Sequence, residues 1–173
     1  MEQLNLMEGM TGDAAAATFS PCRRYRYSLA RTWDASLPIL VFLMLNPSTA
    51  DELHNDPTVE RCHRRAQRLG FGAVVVVNLF ALRSTDPAGL YVEQDPVGPD
   101  NDATILTICT LASLVVCAWG THGKHLGRAA YVLDMLRNAG IRLHALGINA
   151  DGSPKHPLYV ANDAELVPYH PDR

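Results

Sequence analysis

Polar side chains that could bind or activate a small ligand follow apolar segments of this 173-residue chain. Asn46 comes after the apolar run ILVFLML, within the segment LNPSTAD, and Asn78 follows four valines. His156 lies in the late segment KHPLY. A carboxamide offers hydrogen-bond donors and an acceptor side by side, and a neutral imidazole offers one of each. These residue types can therefore orient a water molecule, recognise the edge of a planar ligand or stabilise a leaving group.

The elements that must position these side chains are apolar strands alternating with helices. Buried strands are predicted at residues 37–45, 73–77, 114–119 and 141–146. Helices are predicted at residues 56–69, 100–110 and 123–138. Apolar strands separated by helices indicate a parallel sheet covered on both faces. We therefore expect a three-layer α/β/α fold whose central sheet is mainly parallel and four-stranded, with an additional half-exposed N-terminal strand at residues 24–33.

The composition fits a globular domain. Hydrophobic residues make up 47% of the chain, charged residues 19%, and the net charge is −3, which argues against a surface dominated by phosphate-binding charge. The four cysteines form no CxxC pair and the histidines are dispersed, so we expect neither a metal nor a cofactor. No apolar run approaches the roughly 20 residues that span a membrane. We expect a flexible tail over residues 1–18, a single α/β domain over residues 19–173, and a cytoplasmic location.

The predicted sheet would bring the polar segments to one edge. In open parallel sheets, ligands bind outside the carboxyl ends of the strands, so the segments after the four strands should share a pocket. The candidate catalytic residues are Asn46, His156 and Asp51. The candidate substrate-binding residues are Pro47, Ser48, Thr49, Asn78, Arg83, Gly120 and Pro157. Each candidate also has a purely structural interpretation, as a turn residue, a side chain satisfied by nearby backbone, or a surface histidine.

The order of these motifs resembles the uracil-DNA glycosylase superfamily. The Asn-Pro pair at 46–47 matches a turn of its mismatch-specific branch, without that turn's glycines. Asn78 stands where the uracil-specific branch has a base-reading asparagine, and the His-Pro pair at 156–157 matches the superfamily's last motif. Residues 24–159 also resemble a bacterial and phage family of domains of unknown function, marked by LNPSTAD, VNLFALRSTDP, GPDND and HPLY.

The glycosylase resemblance implies a pocket that takes in a base, and a reaction in which water attacks the sugar C1′ while the base leaves as an anion. Asn46 would hold the water through its side-chain oxygen. Asn78 would read the base edge, and His156 would lie near the leaving base or its sugar-phosphate. Ser48 and Thr49 would bind phosphate or a water.

The resemblance leaves open which residue acts as the general base. Asn46 replaces the acidic residue of the most active branch, so Asp51 or Asp56 would have to compensate, although Asp56 also suits a helix cap. We expect a glycosylase-like protein that binds a base, a nucleotide or single-stranded nucleic acid. The candidate reaction is hydrolysis of the N-glycosidic bond of a modified base, as in DNA repair or modification. The alternatives are a non-catalytic nucleotide-binding module or sensor, and an unrelated hydrolase that uses Asp51 and His156.

Arginines crowd the first predicted helix. Arg61, Arg65 and Arg68 share one side at helical spacing. A solvated helix face is one interpretation of this pattern. A patch that tracks phosphates, extended by Arg83 and by Arg23, Arg24 and Arg26, is the other.

Overall fold

A computed structural model describes residues 13–171, which form a seven-stranded sheet in the order β1-β2-β4-β3-β5-β6-β7. The strands are β1 (Ala14–Phe19), β2 (Arg26–Thr32), β3 (Ile39–Met44), β4 (Ala73–Asn78), β5 (Leu114–Cys117), β6 (Leu143–Ala145) and β7 (Val167–Pro168). The α-helices are α1 (Pro57–Arg68), α2 (Gly89–Val92), α3 (Asn101–Leu111) and α4 (Arg128–Asn138), and 3-10 segments span Gly120–Gly127 and Pro157–Tyr159. In this described part of the chain, every helix is too short or too polar to cross a bilayer.

The middle of the sheet is parallel and its edges are antiparallel. β3 pairs in parallel with β4 and with β5, and β5 pairs in parallel with β6. β2 is antiparallel to β4, while β1 and β7 add antiparallel strands at the two edges. The predicted α/β class is confirmed. The predicted sheet of four strands plus one was too small, because β7 has only two residues and the segment AAAATF of β1 shows no strand periodicity.

The N-terminal region differs from the prediction in two ways. Residues 14–18, assigned to a flexible tail, belong to β1, whereas residues 1–12 of that predicted tail lie outside the described part. β2 is buried along its whole length rather than half exposed. β1 and β4 cover its edges, Ala50 and Val59 pack against its Leu29, and α3 also contacts it. The arginine side chains of β2 therefore end inside the protein. Arg31, for example, donates to the carbonyl of Asp51 at 2.6 Å and to Oδ1 of Asn55 at 2.9 Å.

The helices cover opposite faces of the sheet. Cys62 and Ala66 of α1 pack with alternate apolar residues of β3 and β4 on one face. Side chains of α3 and α4, such as Ile105 and Leu136, pack on the other face. Right-handed crossovers require this arrangement, because the chain passes from β3 to β4 in one direction and from β4 to β5 in the other. The direction of winding therefore reverses between β3 and β5.

Two helix starts illustrate what local signals can specify. α1 begins as predicted, since Oδ1 of Asp56 accepts from the backbone N–H of Val59 at 2.8 Å and Pro57 occupies the first helical position. The helix predicted from residue 123 begins only at Arg128. A 3-10 segment precedes it, and Leu126 and Gly127 there adopt left-handed φ values of 53° and 64°.

Candidate functional site

A cavity of about 510 Å³ opens at the carboxyl edge of the parallel strands. This volume is in the range of small-molecule sites. It lies where β3 and β5 end, at the reversal of winding, which is where open α/β sheets bind their ligands. Segments after all four parallel strands contribute to the wall. The sequence-predicted residues that line it are Asn46, Ser48, Asn78, Gly120 and His156.

The other predicted site residues lie away from this cavity wall. These residues are Pro47, Thr49, Asp51, Arg83 and Pro157. Oδ1 of Asp51 accepts from the backbone N–H groups of Leu53 and His54, both at 2.8 Å, and these hydrogen bonds lower the pKa of the carboxyl. Arg83 donates through Nη1 to the carbonyl of Arg23 at 3.2 Å. Asp51 therefore stabilises a surface turn, and a hydrolase built on Asp51 and His156 has no support from the geometry.

Asn78 lines the cavity and has a buried carboxamide without a hydrogen-bond partner. The residue is 1% exposed, and neither Nδ2 nor Oδ1 bonds to any described residue. The strand end is held firmly, because Nδ2 of Asn101 donates to the carbonyls of Asn78 and Leu79 at 2.9 and 3.0 Å. Nε of Arg128 also donates to the carbonyl of Leu79, at 3.0 Å. A buried polar group without a partner costs about 1–3 kcal/mol, so this unpaired donor and acceptor at the cavity wall make Asn78 a candidate ligand-binding residue.

Asn46 is oriented by its own amide hydrogens. Nδ2 donates to the carbonyl of Ser84 at 2.8 Å and to the carbonyl of Pro47 at 3.1 Å. Both amide hydrogens are thereby used, which also fixes which end of the carboxamide is the oxygen. Oδ1 is the atom of this side chain that remains to accept a hydrogen bond from a water molecule or a ligand. Asn46 can therefore position a water, but a neutral amide is a poor base.

His156 is held as a neutral hydrogen-bond donor. Nδ1 accepts from the backbone N–H of Leu158 at 3.2 Å, which places the proton of the neutral ring on Nε2. Burial lowers the pKa of this imidazole, although the charge of Asp56 acts in the opposite sense. Gly120, beside it, has a φ of +74°, a conformation that favours glycine, and a Cβ atom there would lie 3.9 Å from Cβ of His156.

The lowered pKa of His156 predicts a pH-dependent stability. A histidine with a folded-state pKa below the unfolded value of 6.5 binds fewer protons when folded. Its contribution to the free energy of unfolding is present above the unfolded-state pKa of 6.5 and is lost as the pH falls through the folded-state pKa. Burial also lowers the pKa of His63, so His63 changes the stability with pH in the same direction. The free energy of unfolding, measured with urea, should fall between about pH 7.5 and about pH 5, and we expect this fall to be smaller in His156→Gln than in the wild type. An unchanged loss would contradict this account of His156.

Two charged residues of the cavity wall were predicted only as alternatives, Asp56 as a base that doubles as a helix cap and Arg26 as part of an extended phosphate-tracking patch. Asp56 uses Oδ1 to cap α1, and its position in the wall leaves the second carboxylate oxygen for a ligand or a water. Arg26 is 2% exposed and donates through Nη1 to the carbonyl of Ala50 at 2.6 Å. Burial lowers the pKa of Arg26 to about 10, so its guanidinium remains charged at neutral pH. The alternating sequence of β2 suggested that Arg26 was exposed.

Arginines of α1 bind the segment that follows the second 3-10 turn. Nη1 of Arg61 donates to the carbonyl of Val160 at 3.0 Å. Arg65 is buried and donates to the carbonyls of Ala161 and Ala164, each at 2.8 Å. These two arginines are therefore structural anchors of the loop, and the phosphate-tracking interpretation does not apply to them.

A larger groove, of about 1030 Å³, shares Trp119 and Thr121 with the cavity but has none of the predicted polar residues in its wall. Two cations in its wall already have acidic partners at 3.6 Å: Lys124 pairs with Asp151 and Arg137 with Asp134. Within residues 13–171, no group of three or more acidic, histidine or cysteine side chains is placed to hold a metal ion. The smaller strand-edge cavity is therefore the better candidate site.

Comparison with known proteins identifies a family for the chain. The model of a family described as "Protein of unknown function (DUF1643)" matches residues 26–158. That span contains every residue of the cavity wall except Tyr159. Neither the curated proteins nor the solved structures contain a match to the chain.

Proposed function

Since the chain belongs to the DUF1643 family of proteins of unknown function, we propose its function from the cavity itself. The cavity binds a base or a nucleotide, and the protein hydrolyses the N-glycosidic bond of that ligand. A uracil-DNA glycosylase-like fold is part of the proposal. It is supported by the order of the motifs along the parallel strands and by the position of Asn46, Asn78 and His156 in one cavity wall.

The observation that carries this proposal is the carboxamide of Asn78. Its donor and its acceptor are both unpaired and are buried where bulk water does not satisfy them. The complementary partner is a planar ligand edge that offers an acceptor beside a donor, such as the adjacent C=O and N–H of a uracil-type or hypoxanthine-type base. Enzymes that act on single bases read them in this way, through hydrogen bonds to the base edge in a closed pocket.

The other residues of the wall supply the parts of a hydrolytic step. In this proposal Oδ1 of Asn46 holds the water, and the free carboxylate oxygen of Asp56 accepts a proton from it. The water oxygen forms a bond to C1′ while the C1′–N bond breaks and its electron pair stays on the base. Nε2–H of His156 donates a hydrogen bond that stabilises the departing base as its negative charge develops.

Release of the free base tests this proposal. The purified protein would be incubated with free nucleotides and with single-stranded and duplex oligonucleotides that carry uracil, hypoxanthine or bulkier modified bases. Mass spectrometry would detect the released base. We expect release by the wild type, and a rate roughly 10²–10³-fold lower for Asn46→Ala and Asn78→Ala, as when a group that acts in the transition state is removed. Asn138→Ala, at the exposed end of α4, serves as the matched control and should retain full activity.

Failure to release base from every substrate, by protein that is shown to be folded, would overturn the hydrolytic part of the proposal. A second function, a binding module or sensor without turnover, is favoured by one observation. Asn46 is an amide, and Asp56, the one acidic residue of the cavity wall, is partly committed to capping α1. Tight binding of a nucleotide without release of its base would identify this second function.

A further inference from the structure

Arg26 reaches the strand-edge cavity because β2 is irregular. The register between β1 and β2 skips one residue of β2 between Ser28 and Arg26. Such a bulge redirects the side chains beyond it. In a regular strand, residues three apart point to opposite faces, yet Leu29 packs against Ala50 and Arg26 donates to the carbonyl of the same alanine. The bulge therefore turns an arginine toward the cavity.

The guanidinium of Arg26 is buried but only partly satisfied. Nη1 has the carbonyl of Ala50 as its acceptor, whereas Nε donates to no described residue. None of the ion pairs found within 4.0 Å among residues 13–171 includes Arg26. Asp56 exerts the strongest attraction on it, but from beyond that distance. A buried cation is stabilised when an anion pairs with it, and the cavity is the side from which an anionic group can approach.

Hydroxyl groups in the same wall favour a phosphate as that anion. The hydroxyl-bearing side chains of the wall, apart from a tyrosine, are Ser48, Thr58, Ser84, Thr85 and Thr121. The hydroxyl of Ser84 already donates to the carbonyl of Asp86 at 2.6 Å, which leaves the other four as donors. A phosphate monoester has three terminal oxygens that accept hydrogen bonds, so it can bind a guanidinium and hydroxyl donors at once. A carboxylate has two oxygens and would satisfy fewer of these donors.

We infer that Arg26 forms a phosphate subsite within the cavity and that the ligand is a nucleoside monophosphate. The nucleoside part of this inference rests on the proposed function. The phosphate part rests on the buried, partly unsatisfied guanidinium and on the hydroxyl groups of the same cavity wall. Among bases, nucleotides and nucleic acids, the expected ligand is therefore a phosphorylated mononucleotide.

Calorimetric titration of the full chain with matched ligands tests the subsite. The probes are deoxyuridine, inosine, their 5′-monophosphates and inorganic phosphate. We expect the wild type to bind a monophosphate roughly ten- to hundredfold more tightly than its nucleoside, as for hydrogen bonds to a charged group. In Arg26→Met, which keeps the length and removes the charge, that ratio should fall to about one. Arg31→Met removes a charge from the same strand, but Arg31 is not in the cavity wall, so the ratio should persist.

The outcomes separate this inference from the proposed function. Equal affinity of the wild type for nucleoside and monophosphate would overturn the subsite, and this result does not depend on whether Arg26→Met folds. Binding of the nucleosides in that case would still support the proposed function. Thermal stabilisation of the wild type by inorganic phosphate, absent in Arg26→Met, would support the subsite even if no nucleoside bound. If a 5′-phosphorylated trinucleotide bound as tightly as the monophosphate, the subsite would bind the 5′-phosphate at the end of a nucleic-acid strand as well as that of a free mononucleotide.

Discussion

Replacing Asn78 by leucine should stabilise the protein by about 1–3 kcal/mol and weaken ligand binding by about a hundredfold or more. Leucine has nearly the same shape as asparagine but brings no polar atoms. It therefore removes a buried donor and a buried acceptor that have no partner among the described residues, at a position that is 1% exposed. The same substitution deletes both groups that we propose to hold the base. Urea unfolding and calorimetric titration with nucleosides would measure the two effects.

Asn101→Leu is the matched control for this prediction. Asn101 is also a fully buried asparagine, but its Nδ2 donates two hydrogen bonds to the end of β4. Its replacement should therefore lower the free energy of unfolding, by about 1–3 kcal/mol. If Asn78→Leu destabilised the protein as much as Asn101→Leu, the carboxamide of Asn78 would have a structural role and the argument for a ligand would fail.

Replacing Arg65 by methionine should lower the free energy of unfolding by about 2–4 kcal/mol. The substitution keeps an unbranched side chain but removes two hydrogen bonds from a charged donor. It leaves the carbonyls of Ala161 and Ala164 without these donors and frees the loop that follows the Pro157–Tyr159 turn. Because His156 caps that turn, nucleotide binding should weaken as well, by roughly tenfold.

Arg68→Met provides the comparison for Arg65, since it removes an exposed arginine from the last turn of the same helix. It should change the free energy of unfolding by less than about 0.5 kcal/mol. Equal effects of the two substitutions would show that the α1–loop hydrogen bonds contribute little, and that the loop is held by other contacts.

The parallel core was predictable because its signals are local. Apolar runs define β3 and β4, and the pair Asp56-Pro57 marks the start of α1. A polar residue directly after a fully apolar strand must lie at a strand end, so the position of Asn78 followed from the sequence. Its lack of hydrogen-bond partners did not, because that depends on the residues that surround it in the folded chain.

The features that were not predicted depend on distant contacts. Arg26 looked solvent-exposed because the sequence of β2 alternates, and its orientation depends on a bulge in the pairing with β1 and on the distant carbonyl of Ala50. Arg65 looked like part of a surface patch because its acceptors lie about a hundred residues later in the chain. Asp51 is close to Asn46 in sequence, but its carboxylate turns back onto its own loop. Proximity along the chain therefore gave no information about its direction.

The central claim is that the carboxamide of Asn78 binds a base, and its own NMR signal tests that claim most directly. The side-chain NH₂ resonances of Asn78 can be assigned by their absence from the spectrum of Asn78→Leu, and nucleosides and their monophosphates can then be titrated into the ¹⁵N-labelled wild type. We predict that at least one ligand shifts the Asn78 NH₂ signals, in proportion to occupancy, as a hydrogen bond forms at Nδ2. Binding of a nucleotide that left these signals unmoved would contradict the account, because the ligand would then occupy the protein without engaging Asn78.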